Sequence, residues 1–223
     1  MKKKKKQKKL NKIASLFDYQ CFFYDFVKIT GILPALLLIR MKSIFLNKMT
    51  KKRLKKEPCI IVSNHNSFLD PLILLTTFYY KRIGIVATKE LFNTRFKNGL
   101  FTSFGCIYVD KENVSMKTFK QVKERILRGH SVGIFPEGRI VHQQKEIDNF
   151  KSGVILMAFM ANAPIYPVYI QKRKHWYKRQ KVIIGNRFDV HQYLTTLSPS
   201  LQEIDLCCQK LYEEEKKLEN FNR

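Results

Sequence analysis

Acidic residues are scarce in this chain of 223 residues, where 18 Asp and Glu face 42 Lys and Arg for a formal net charge of +24. The shortage is sharpest at the start. The first 56 residues hold 17 Lys and Arg against two acids, Asp18 and Asp25, so +15 of the total sits in a quarter of the chain. Such an imbalance calls for an anionic partner: nucleic acid, an anionic membrane or acidic ligands. Long apolar runs are missing too. The longest uncharged run of the N-terminal part, Ile29 to Ile39, has 11 residues, whereas about 20 are needed to cross a bilayer. No small-residue cleavage site follows the basic start, and the two acids interrupt the apolar stretch, which argues against a secretory signal. The five cysteines (Cys21, Cys59, Cys106, Cys207, Cys208) are odd in number and show no metal-ligand spacing. They read as reduced cytosolic thiols used in packing, with no metal site implied. No internal repeat or Gly/Ser linker divides the chain after Cys59.

What is present begins with "MKKKKKQKKLNK", a basic low-complexity run that by itself reads as a solvated tail. The stretch from Leu16 to Leu46 is rich in aromatic and aliphatic residues, broken by Pro34 and framed by Lys28, Arg40, Lys42 and Lys48. An interior proline kinks a helix, and a short, kinked, aromatic helical pair with basic flanks suits the membrane interface, with Lys and Arg facing anionic headgroups. Two ordinary amphipathic helices packed on the domain are the alternative. Residues 1–56 are therefore expected to be membrane-associating helices and residues 57–223 a globular domain. That domain is long enough for a real core, and a hydrophobic content of 45% rules out a largely disordered chain.

From Cys59 onward, strand-like and helix-like pieces alternate. "CIIVS", "IGIVAT", "CIYVD", "SVGIF", "IYPVYI" and "KVIIG" read as strands. "PLILLTTFYY", Leu91 to Phe104, Asn113 to Arg128, Lys151 to Asn162 and a final amphipathic stretch marked by Leu201, Ile204, Cys208, Leu211 and Leu218 read as helices. This predicts an α/β fold with a largely parallel central sheet flanked by helices. Ligand sites in such folds lie at the ends of the strands.

The joint "IVSNHNSFLDPLILL" (Ile61 to Leu75) crowds polar residues between two apolar segments. On one continuous helix His65 and Asp70 would sit roughly 140° apart, so they meet only if the chain turns between them. Asp70-Pro71 is a strong helix start, with aspartate as N-cap and proline in the first turn. Taken alone, the pair is equally an ordinary cap and a loop histidine.

Further segments follow in order: "ATKEL" (Ala87 to Leu91), "GCIYVDK" (Gly105 to Lys111), "IFPEGR" (Ile134 to Arg139) and "APIYPVYI" (Ala163 to Ile170). With "NHNSFLD" they resemble the ordered motifs of the 1-acyl-sn-glycerol-3-phosphate acyltransferase family, glycerolipid acyltransferases marked by NHxxxxD and FPEG. The resemblance covers about Pro58 to Ile184. It implies that His65 and Asp70 are catalytic and that the substrate hydroxyl attacks an acyl thioester directly. Histidine titrates near neutrality, so it can take the hydroxyl proton and return it to the thiolate. A carboxylate on the other ring nitrogen fixes the tautomer. Ser67 lies outside any G-x-S-x-G elbow and is not the nucleophile.

For an anionic acceptor, Arg139 is the leading phosphate ligand, because a guanidinium grips two phosphate oxygens. The resemblance adds Lys89 and Lys111, with Glu137 and Gly138 shaping the site. Lys111 stands where the family often has arginine, and Arg139 occupies a slot usually held by threonine.

These residues together imply an acyltransferase at the cytoplasmic membrane face, peripheral or monotopic, converting lysophosphatidic acid to phosphatidic acid. No cofactor is expected beyond the co-substrate, the thioester of acyl-carrier protein or coenzyme A. Glycerol-3-phosphate or another lysolipid is the close alternative acceptor. A non-enzymatic basic membrane- or nucleic-acid-binding protein is the rival of another class. No RNP-, KH- or zinc-type motif supports nucleic acid as a partner.

Overall fold

In the run "IIVS" every residue is buried, and two β-branched isoleucines and a valine fit a strand covered on both faces. The computed structural model describes residues 22–26, 28, 30–31, 34, 39–88, 94–110, 114–137, 152–173, 175, 178–194, 196 and 198–221. The strands of the described residues are β1 (Met41–Phe45), β2 (Ile60–Ser63), β3 (Ile83–Thr88), β4 (Ile107–Val109), β5 (Ser131–Ile134), β6 (Ile165–Ile170) and β7 (Gln180–Ile184). They form one sheet in the order β1-β7-β6-β2-β5-β3-β4. The five strands from β6 to β4 are mutually parallel. β7 runs antiparallel to β6, and β1 runs parallel to β7.

The helices are α1 (Lys48–Lys56), α2 (Asp70–Thr77), α3 (Arg95–Ser103), α4 (Met116–Leu127), α5 (Gly153–Ala161) and α6 (Leu201–Asn220). They cover both faces of the sheet. Side chains alternate along β2, so Ile60 and Val62 join the layer under α4, α5 and α6, while Cys59 and Ile61 join the layer with Ile73, Leu74 and Leu54. Cys59, Cys207 and Cys208 are buried, free thiols. Cys21 lies outside the described residues. No helix among the described residues is long and apolar enough to cross a membrane.

One segment departs from the helical expectation for residues 1–56. The chain is helical at Ile39, but Arg40 adopts a left-handed backbone (φ 47°) and Met41–Phe45 continue as β1. A left-handed residue stops a helix, and glycine or asparagine, its usual marker, is absent here. β1 pairs with β7 from Met41–Gln180 to Phe45–Ile184. α1 then packs Leu54 into the core, and Thr50 donates to the Asn186 side chain at 3.1 Å. Residues 41–56 are thus part of the α/β unit, and a boundary at 56 cuts through it. Upstream, Tyr24 Oη accepts from Ile83 N (3.1 Å), and Arg82 pairs with Asp25 (2.5 Å), tying helical residues 22–26 to the start of β3. The basic tail, within residues 1–21, lies outside the described residues.

Close packing at the β3–β4 edge depends on two glycines. A Cβ on Gly84 would collide with the Gly105 carbonyl oxygen, and Gly105 has φ +72° with the Arg125 guanidinium against its Cα. The obstruction at Gly84 is backbone, so it cannot swing aside. Gly84→Ala is expected to cost about 1–3 kcal/mol by overpacking, measured as a lower midpoint in urea denaturation.

Candidate active site

β2 is the centre of the site, flanked by β5 and β6. Its carboxyl end opens into the loop Asn64–Leu69, on the same edge of the sheet as the ends of β3, β4 and β5. Asn64 fixes the start of that loop. Its side chain accepts from Ile170 N (2.7 Å) and donates to Ile170 O (3.1 Å), so a buried amide is satisfied by the end of β6. Asn66 Nδ2 also donates to Ile170 O, at 3.2 Å.

The chain does turn between His65 and Asp70. Asp70 is the first helical residue of α2, with Leu69 in the cap position, and its side chain makes no capping bond. This differs from the N-cap expected for Asp70-Pro71. The carboxylate instead points back into the loop, where Oδ2 accepts from Asn66 N (2.6 Å) and Ser67 N (2.7 Å) and meets His65 Nδ1 at 3.1 Å. Three groups converge on one buried oxygen. Since carboxylate oxygens accept, Nδ1 carries the proton and Nε2 is left as the basic nitrogen.

The other side of the imidazole is held by the third motif. Phe135, the residue after β5, stacks on His65 with ring centroids 4.4 Å apart and planes 26° apart. Sequence reasoning gave Phe135 no role, although it stands in the "IFPEGR" motif beside the expected site residues. Glu137, two residues on, is half-buried. Lys89, Lys111, Gly138 and Arg139 lie outside the described residues. Their chain neighbours Thr88, Asp110 and Glu137 follow or end β3, β4 and β5 on the His65 edge. Among the described residues no group of three or more His, Cys, Asp or Glu side chains is placed to hold a metal ion.

His65 also forms part of the wall of an apolar cavity of about 440 Å³, continued by Leu69, Leu72, Leu75, Phe101 and Phe104. The His65 side chain retains 17% exposure, so the ring is reachable although its partner Asp70 is not. Deeper in, burial pushes the Cys106 thiol up to about 11, as befits a neutral lining residue rather than a nucleophile.

A family model described as Acyltransferase matches residues 45–171. The chain belongs to the acyltransferase family. The match covers more than half of the chain and contains the loop, Asp70, Phe135 and Glu137. A probable 1-acyl-sn-glycerol-3-phosphate acyltransferase of Mycoplasma genitalium is 32% identical over 138 residues, 58% of this chain and 50% of that one. The 1-acyl-sn-glycerol-3-phosphate acyltransferase of Bacillus subtilis is 27% identical over 166 residues, 72% of this chain and 81% of that one. The chain spans about half the length of the mycoplasmal relative. The crystal structure of the 1-acyl-sn-glycerophosphate acyltransferase of Thermotoga maritima superposes with a TM-score of 0.63 at 15% identity, over 97% of this chain and 89% of that one. This chain therefore shares the fold of that protein.

Proposed function

We propose that this acyltransferase moves a fatty acyl group from a thioester to the free hydroxyl of 1-acyl-sn-glycerol-3-phosphate, forming phosphatidic acid. The observation that carries the reading is His65, with Nδ1 bound to Asp70 and the residue itself part of the apolar cavity wall. A base with one nitrogen occupied has the other for the substrate, and the cavity suits an acyl chain.

In the proposed reaction Nε2 of His65 takes the proton of the acceptor hydroxyl as its oxygen attacks the thioester carbonyl carbon. The tetrahedral adduct then collapses, the C–S bond breaks, and the thiolate takes the proton back from His65. Asp70 holds the ring and stabilises the imidazolium formed on the way. Arg139, Lys89 and Lys111 are proposed to take the acceptor phosphate, with Glu137 and Gly138 shaping that side. The acyl donor is the thioester of acyl-carrier protein or coenzyme A. The membrane reading, made for residues 1–56 and kept here for the part that precedes β1, puts that segment on the cytoplasmic face, where its Lys and Arg meet anionic lipid.

The test is an assay of purified protein with a labelled acyl thioester and a panel of acceptors. Transfer to lysophosphatidic acid above glycerol-3-phosphate and other lysolipids is the expected result. Absence of transfer to every acceptor, with both donors supplied, would overturn the reading.

A further inference from the structure

His65 is held from two directions. Asp70 meets Nδ1 at 3.1 Å, and Phe135 stacks on a ring face with centroids 4.4 Å apart and planes 26° apart. A hydrogen bond at one nitrogen fixes a point of the imidazole but leaves the ring free to rock about that point. A flat neighbour against the face removes that freedom.

The chain gives Phe135 a stiff stem. It follows β5, whose four residues are all buried and which runs between β2 and β3. Val62 of β2 lies opposite Ile134 of β5, so the two strands leave the sheet side by side, one towards His65 and the other at Phe135. Pro136 comes next and is buried, and a residue before proline is confined to extended backbone. Phe135 itself is half-buried and packs on the layer that contains Ile61, Ile73 and Leu74.

For packing alone a leucine would serve. A benzene ring adds a flat face of negative potential. A cation within about 6 Å of the centroid of such a ring is attracted to it, and the imidazolium formed during proton transfer lies inside that range. The neutral imidazole before transfer gains less from the same face. The contact therefore strengthens as the reaction proceeds, and interactions of that kind raise kcat.

We infer that Phe135 is a positioning residue for acyl transfer, its ring face fixing the plane of His65 and steadying the charge that the imidazole takes up. This rests on the reading of His65 as the base. Phe135 does not line the cavity; it acts through His65.

The test uses the full chain with an acyl thioester and lysophosphatidic acid. It compares Phe135→Leu, Phe135→Tyr and a ring-fluorinated phenylalanine placed at the same position. Leucine keeps an apolar side chain without a ring face. It is expected to lower kcat by about 2- to 30-fold, the range of a cation–ring contact, with KM little altered. The fluorinated ring keeps shape and packing while its fluorines draw charge from the face. Its kcat is expected to fall by about twofold or more with Tm unchanged. Tyrosine returns an ordinary face and is expected to recover most of the activity. A second readout does not depend on turnover. Protons above an aromatic face resonate upfield, so the carbon-bound ring protons of His65, assigned by their absence from His65→Ala, should lie upfield in the wild type and return to ordinary positions in Phe135→Leu.

A residue that only fills space would move kcat and Tm together, and fluorination would spare both. Wild-type kcat in folded Phe135→Leu or with the fluorinated ring would overturn the inference, as would His65 protons indifferent to loss of the ring. A raised KM at unchanged kcat would make Phe135 a substrate contact and overturn it as well. If leucine fails to fold, the fluorinated ring decides. Should the wild type transfer to no acceptor, the activity reading fails, and the His65 resonances alone decide whether Phe135 fixes the imidazole.

Discussion

Replacing His65 with alanine is expected to lower acyl transfer by about 10²–10⁴-fold, the usual contribution of a general base, while far-UV circular dichroism stays unchanged. The ring is peripheral to the core. It rests on Phe135 and the cavity wall, and its loss leaves the Asn64 clamp and both backbone bonds to Asp70 in place.

Asp70 separates two effects that the sequence alone could not. All three donors meet at Oδ2, so an asparagine can put its carbonyl oxygen there and keep the loop and the tautomer. Asp70→Asn therefore removes the charge but little of the geometry. A hydrogen bond to a charged group exceeds a neutral one by about 1–1.5 kcal/mol, so kcat should fall about tenfold. Asp70→Ala orphans the Asn66 and Ser67 amides as well, at about 1–3 kcal/mol each, and should lose both stability and activity. Equal and near-normal rates for Asp70→Asn and Asp70→Ala would remove the aspartate from the mechanism.

Deletion of residues 1–56 is expected to leave an insoluble or unfolded remnant. The cut removes β1 from the sheet, uncovers the edge of β7 and takes away buried Leu54, Ile39 and Tyr24 with the Asp25–Arg82 ion pair. Each fully buried aliphatic contributes about 1.5–3 kcal/mol, against a total stability of about 5–15 kcal/mol for an ordinary domain. Removing residues 1–9 alone spares all of these contacts. That shorter deletion should keep the circular dichroism spectrum and weaken binding to anionic vesicles at low salt, where lysine charges act over a Debye length of roughly 30 Å. Sedimentation and circular dichroism distinguish the two deletions. A soluble, folded 57–223 fragment would show that β1 and α1 are dispensable.

The strands from β2 to β7 were legible because each is a short β-branched or aromatic run closed by a polar or turn residue, as in "IGIVAT", which is β3 end to end. β1 was not. "MKSIF" is half-exposed at the sheet edge, carries a lysine and follows a helical stretch without a glycine or asparagine to mark the break. Its strand character comes from pairing with β7, far away in sequence.

In the site, the turn between His65 and Asp70 was legible from their spacing and the proline after Asp70, whereas their role was implied only by the resemblance of the ordered motifs. The direction of the carboxylate was not, since a cap and a loop clamp have the same residue signature. Phe135 lies in the third motif, but nothing in the sequence shows that its ring stacks on His65.

The place of β1 has a consequence for how the chain is made. Met41 leaves the ribosome 139 residues (180 − 41) ahead of its partner Gln180. At about 5–20 residues per second, β1 waits on the order of ten seconds for β7. Throughout that interval the basic N-terminal segment is tethered to a strand with nowhere to pair. Docking of β1 is then a late, long-range event, of the kind that slows folding. A nascent chain meeting a lipid surface would do so before its sheet is closed.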